Sequence, residues 1–213
     1  MKFNGKTLSV AAEFKVGNSL DLIRYISPSV NLTYLFYKSE FPSGSVIDFT
    51  LDTPPASLAN VFRLAVGFRK LVVTVPTTQV YDINNFIVGA SAGTSTIEEL
   101  VLPNGIKFSA FHSFAANCKK LRTITGSIDL SKSTDNTNCF LDCAALEEVR
   151  FVKGTITKSL YIKQSSNLSD ETIQSIINGL DYNAEGQTLT VHPNVAARIV
   201  ETDVTDAGWT LAY

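Results

Sequence analysis

Short runs of apolar and β-branched residues punctuate the middle of the chain: VIDFTL at 46–51, LVVTV at 71–75 and ELVL at 99–102. Runs of this length and composition predict strands. Each leads through turn residues into a return segment. Two return segments repeat one pattern, FAANCKKLRTI at 114–124 and FLDCAALEEV at 140–149, both reading Phe, Cys, Leu and then Ile or Val. The spacing is three throughout the second, and one extra residue separates Phe114 from Cys118 in the first. Upstream, GFRKLVVTVP at 67–76 and STIEELVLP at 95–103 share an apolar residue, two charged residues, Leu, a β run and Pro. The predicted strands start near residues 46, 71, 99, 123 and 148, which are 25, 28, 24 and 25 apart.

That period lies within the roughly 20–29 residues of leucine-rich repeats, shorter than helix-hairpin repeats and longer than most β-helix coils. The expected fold class is therefore α/β, a leucine-rich-repeat solenoid of short stacked strands. One unit cannot bury its own apolar side. Parallel strands stacked about 4.8 Å apart pair their backbone groups and align Leu, Ile, Phe and Cys into internal ladders. Cys118 and Cys143 would then face inward from adjacent units, as small, weakly polar core residues. The expected division is an N-terminal cap at 1–45, degenerate repeats at 46–165 and an α/β C-terminal capping unit at 166–213, in one continuous domain.

The two ends read separately. In NLSDETIQSIINGL, Ser169 is a good N-cap, Asp170 and Glu171 suit the positive end of a helix, and Leu168 can staple onto Ile173. Ile173, Ile176, Ile177 and Leu180 form one apolar stripe. TLTV at 188–191 predicts a strand, Pro193 the start of a short helix through Arg198, and WTLAY a last strand. Near the N-terminus, NLTYLFY predicts a strand, EFPSGS a turn, and TPPASLANVF a helix begun by Pro54 and Pro55 with Leu58, Val61, Phe62 and Ala65 on one face.

The string F-x-x-C-x-x-L-x-x-[IV], with Pro closing the strand in two upstream units, resembles the BspA-like leucine-rich-repeat family of bacterial proteins. The resemblance covers about residues 46–165 and is best over 111–152. It implies a right-handed solenoid used for adhesion or other recognition, not catalysis. Such repeats also occur in phage- and prophage-encoded proteins, and the segments after residue 166 resemble a C-terminal unit found behind them. The N-terminal side departs from the pattern, having no Phe-x-x-Cys string.

Composition narrows the function classes. The 213 residues are 45% hydrophobic and 18% charged with a formal charge of −2, enough for a sizeable core and without an electrostatic footprint for nucleic acid. No apolar run is long enough to span a bilayer, and MKFNGKTLSVAAEF lacks the apolar core of a secretion signal, so neither an anchor nor an export device is expected. Three cysteines, Cys118, Cys139 and Cys143, predict free buried thiols rather than a disulfide framework.

Candidate chemistry is thin, and no catalytic, cofactor or metal set is expected. GKT at 5–7 lacks the upstream glycine of a phosphate loop. Cys139 and Cys143 with His112 offer three metal ligands at most, and Cys143 is claimed by the ladder. A Cys118–His112 nucleophile pair has a thiol that points inward. His192, before Pro193, reads as a helix cap. Glu98/Glu99 and Glu147/Glu148 fall at equivalent places and predict a solvated acidic strip, without the Asp/Asn-rich loop of a calcium site. Function is expected on exposed positions: Lys119, Lys120, Arg122, Arg150, Tyr161 and Lys163 as partner-binding residues, with Thr123 and Lys158 also outward. Tyr34, Phe36 and Tyr37 are candidates for stacking. Two function classes follow: a non-enzymatic recognition protein binding a protein or polysaccharide partner, and an assembly component of a phage or surface structure that oligomerises.

Overall fold

A computed structural model describes residues 31–89 and 95–213 in full, with the backbone of three short strands before them. Strands β1 (Lys2–Phe3) and β2 (Lys6–Thr7) form an antiparallel pair. A larger sheet contains β3 (Ser19–Leu22), β4 (Glu40–Thr50), β5 (Val66–Thr74), β6 (Val80–Asp82), β7 (Glu99–Ala110) and β8 (Thr123–Asp129). Its order is β3-β4-β5-β7-β6, with β8 also paired to β7, and every pairing is parallel. The central strand β7 pairs with β5 through Glu99–Val101 and with β6 through Lys107–Ala110, so two segments of one unit share one long neighbour. A second parallel sheet, β11-β10-β9, joins β9 (Leu160–Ile162), β10 (Thr188–Val191) and β11 (Thr210–Ala212). The helices are α1 (Asp170–Gly179), α2 (Pro193–Ala196) and α3 (Glu201–Thr205).

The expected α/β leucine-rich-repeat solenoid is not what the chain forms. The fold is a mixed, strand-rich one with parallel sheets and few helices, all three of them C-terminal to residue 169. Nor are the strands uniformly short, since β4 has 11 residues and β7 has 12. Backbone conformation explains the shortage of helix. In the return segments, left-handed residues recur four apart: Tyr34 and Lys38, Asn60 and Leu64, Ser113 and Asn117, Asn138 and Asp142. Each interrupts a helix before a second turn can form. The backbone groups are satisfied by the neighbouring return segment instead. Asn60 N–H donates to Asn84 O at 2.9 Å, Asn85 N–H to His112 O at 3.0 Å and Ser113 N–H to Thr137 O at 2.9 Å.

Three local expectations fail for the same reason or because a strand runs on. NLTYLFY is a turn, with Tyr34 at φ 65° and Lys38 at φ 54°. TPPASLANVF holds no helix, because Asn60 and Leu64 are left-handed, although Leu58, Val61, Phe62 and Ala65 are all buried. EFPSGS lies inside β4 as an irregular stretch: Phe41–Gly44 fall between the Glu40↔Val66 and Ser45↔Phe68 partners, opposite Gly67 alone. A Cβ on Gly67 would lie 2.0 Å from Phe41 O, so only glycine fits there. Gly126 does the same between β7 and β8, its added Cβ meeting Leu102 O at 2.1 Å.

One continuous core runs from Leu32 to Trp209. Its spine is a file of phenylalanines, Phe36, Phe62, Phe86, Phe114 and Phe140, 26, 24, 28 and 26 residues apart. Successive ring centroids lie 5.0, 5.5, 6.2 and 6.3 Å apart, stacked or edge-to-face. At the C-terminal end, Ser169 caps α1 by accepting Thr172 N–H at 3.1 Å, and Ile173, Ile176, Ile177 and Leu180 bury one face. Trp209 Nε1–H donates to Asp181 O at 3.0 Å, tying the last strand back to the turn after α1.

Candidate binding groove

The cysteines are structural. Cys118, Cys139 and Cys143 are free and fully buried. Cys118 Sγ donates to Ile87 O at 2.7 Å and Cys143 Sγ to Ala115 O at 3.0 Å. Burial pushes the Cys118 thiol up to about 12, so it stays protonated and poorly nucleophilic. Among the described residues no cluster of His, Cys, Asp or Glu could hold a metal ion.

The acidic strip is neutralised in place. Arg69, Glu98, Arg122 and Glu147 follow one another across neighbouring segments, linked by backbone bonds from Glu98 N–H to Arg69 O and from Arg122 N–H to Glu98 O. Glu147 N–H continues the file by donating to Arg122 O at 2.9 Å. The signs alternate. Arg122 pairs with Glu147 at 3.0 Å, while Glu99 receives Lys70 at 2.8 Å and Arg69 at 2.9 Å. Hydrogen bonds from Lys70 and then Arg69 hold the Glu99 carboxyl below its ordinary range.

His112, which the sequence suggests only as a partner for cysteine, has different neighbours. Its Nδ1 lies 2.7 Å from Thr137 Oγ1, and its Nε2 lies 3.1 Å from Ser113 Oγ. Thr137 Oγ1 donates to Asp135 Oδ1 at 2.7 Å, which leaves it to accept from His112 Nδ1–H. Nε2 is then the acceptor for Ser113. Burial tends to raise the Asp135 pKa, but bonds from the Thr137 hydroxyl and N–H, with the His112 charge, bring it below the usual value. Ser113 was recognisable in sequence only as the neighbour of His112, and nothing there linked it to Asp135.

The six predicted partner residues divide among several places. Lys119, Tyr161 and Lys163 line one open groove of about 550 Å³, together with Asp142, Ala144, Gln164, His192 and Pro193. Arg150 lies in a second groove of about 770 Å³ beside α1, with Lys153, Asp170 and Glu171. Arg122 belongs to the charge file, and Lys120 is exposed without lining either groove. Of the aromatic trio, Phe36 is core, while Tyr34 and Tyr37 are exposed and meet edge-to-face at 5.3 Å. Lys6 and Thr7 of GKT are described as strand backbone only, and Gly5 lies outside the described residues.

The first groove is assembled by lateral stacking. Asn117 N–H bonds to Leu141 O, Ser165 Oγ to Cys143 O at 3.0 Å, and Ile162 of β9 pairs with Val191 of β10. These contacts bring Lys119, Asp142, Lys163 and His192 side by side although 73 residues separate the first from the last. His192 caps α2, its Nδ1 accepting Asn194 N–H at 3.1 Å. A neutral ring therefore carries its proton on Nε2, as a donor. Neither Lys119 nor Lys163 forms an ion pair among the described residues. Asp142, Gln164 and His192 were not predicted as partner residues, yet their offsets from Lys119 follow the recurrence already visible in the sequence.

No family model matches the chain, and neither characterised proteins nor solved structures contain a match. No helix among the described residues is long and apolar enough to cross a membrane.

Proposed function

We propose that the chain is a non-enzymatic binding module that takes a protein or glycan partner in the groove formed by Lys119, Tyr161, Lys163 and His192. The observation that carries this reading is the convergence of those side chains from separate segments, with both ammonium groups unpaired. A scaffold whose return segments and strands are cross-bonded holds such a lining in fixed relation, so little order is lost on binding. An array of purified glycans and peptides tests it, comparing the native chain with Tyr161→Ala. A discrete ligand set retained by the first and lost by the second, at unchanged thermal stability, is expected. No retained ligand, or a ligand set indifferent to Tyr161, overturns the reading.

Self-assembly is a second reading, favoured by three exposed apolar side chains near the C-terminus: Tyr182, Val200 and Tyr213, at 60%, 62% and 68% exposure. Light scattering of the native chain and of Val200→Glu decides it. Self-assembly requires an oligomer that the substitution dissociates, and a monomer refutes it.

A further inference from the structure

We infer that the groove is selective for a carboxylate-bearing polysaccharide in which acidic and neutral sugars alternate, an inference that rests on the binding reading above. The lining is rich in donors. Lys119 and Lys163 offer unpaired ammonium groups, and His192 offers Nε2–H because Nδ1 is committed to Asn194 N–H. Gln164 Nε2 approaches the Tyr161 hydroxyl at 3.4 Å as a donor, which leaves the hydroxyl hydrogen free to turn outward. Carboxylate oxygens accept only, and ammonium donors bind them with charge-assisted hydrogen bonds.

One lining group argues against a densely acidic ligand. Asp142 is a carboxylate in the same groove as the two lysines. A run of glutamates would bring like charges against it, whereas a sugar hydroxyl can donate to it. Tyr161, Ala144 and Pro193 supply the apolar part of the lining, suited to the carbon face of a pyranose ring. A chain in which a uronate alternates with a neutral sugar satisfies all three features together: carboxylate to the lysines, hydroxyl to Asp142, ring face to Tyr161.

The test is titration of the native chain with a hyaluronan decasaccharide, a neutral chitin hexasaccharide and poly-L-glutamate, repeated with Lys119→Gln/Lys163→Gln. Thermal unfolding checks that the exposed substitutions leave the fold intact. Hyaluronan is expected to bind, to weaken about tenfold between low and moderate salt as the charges are screened, and to weaken at least about tenfold in the double variant. Absence of hyaluronan binding, or binding unaffected by the double substitution, overturns the inference. So does poly-L-glutamate binding as tightly. Equal binding of the neutral hexasaccharide, lost in Tyr161→Ala, also overturns the acidic preference but leaves the binding module standing, so the two failures are distinguishable.

Discussion

Cys143 donates its thiol hydrogen to the carbonyl of Ala115 at 3.0 Å, and Cys118 does the same one segment earlier, to Ile87 at 2.7 Å. The acceptors are equivalent, each following a phenylalanine of the central file. Other segments put small residues at the same turn position. The N–H groups of Ser39, Ala65, Cys118, Cys143 and Ser165 all close a turn onto the carbonyl three residues back, at 3.1 to 3.2 Å. The position selects for small size, and a thiol or hydroxyl adds a bond.

Cys143→Ser is therefore expected to keep the bond and to change stability by less than about 1 kcal/mol, whereas Cys143→Leu overpacks the site and costs about 1–3 kcal/mol. Denaturant unfolding of the two variants checks the order. The Cys118 thiol gives a matching pH dependence. Its pKa rises from 9.0 to about 12 in the fold, so its contribution is fully present below about 9 and is lost as pH rises toward 12. Alkylation of the native chain between pH 7 and 9 should be limited by unfolding and not by thiolate formation.

Gly126 and Gly154 separate two reasons for a glycine. Both have positive φ, 94° and 67°, but an added Cβ meets Leu102 O at 2.1 Å in the first and nothing within 4 Å in the second. Gly154→Ala should cost about 1 kcal/mol, the left-handed penalty alone. Gly126→Ala must also displace the backbone of β7 and should cost more than about 3 kcal/mol. Equal melting shifts would refute the account of the β7–β8 irregularity.

Reversing one charge tests the alternating file. Arg122→Glu places a carboxylate beside Glu147 and follows Glu98 in the same row. These groups are substantially exposed, so the expected loss is under about 1 kcal/mol, larger at low salt, and recovered by adding Glu147→Arg. Glu99 adds a pH signature. Its lowered pKa means that its contribution is present above the ordinary glutamate range and is lost as pH falls through the lowered value. Glu99→Gln should flatten stability against pH on the acid side.

The recurrence of about 25 residues located strands, inward cysteines and the α1 cap, because these depend on local pattern and burial. Converting that recurrence into an α/β solenoid failed at the return segments. Nothing in Tyr34, Lys38 or Leu64 announces left-handed backbone, since such residues adopt it only when neighbouring segments bond across them. The phenylalanine file was legible in principle, but the Phe-x-x-Cys string hid it by making cysteine the marker where Phe36, Phe62 and Phe86 carry the pattern without one. Three of the six surface residues share a groove because stacking adds a lateral neighbour that no linear window contains.

The Ser113–His112–Thr137–Asp135 chain is where an enzymatic reading would have to begin, and its geometry argues for a structural role. A serine nucleophile needs free backbone donors to hold the oxyanion formed on attack. Ser113 N–H is already given to Thr137 O at 2.9 Å and Ala115 N–H to Cys139 O at 2.9 Å. Asp135 Oδ1 also accepts Thr137 N–H at 2.8 Å, holding the turn as well as the relay. A fluorophosphonate probe should therefore leave Ser113 unmodified in the native chain, as read by intact mass, while Thr137→Val lowers stability by about 1 kcal/mol through the lost hydroxyl bonds. A stoichiometric Ser113 adduct that disappears in His112→Gln would establish an activated serine and overturn the non-enzymatic reading.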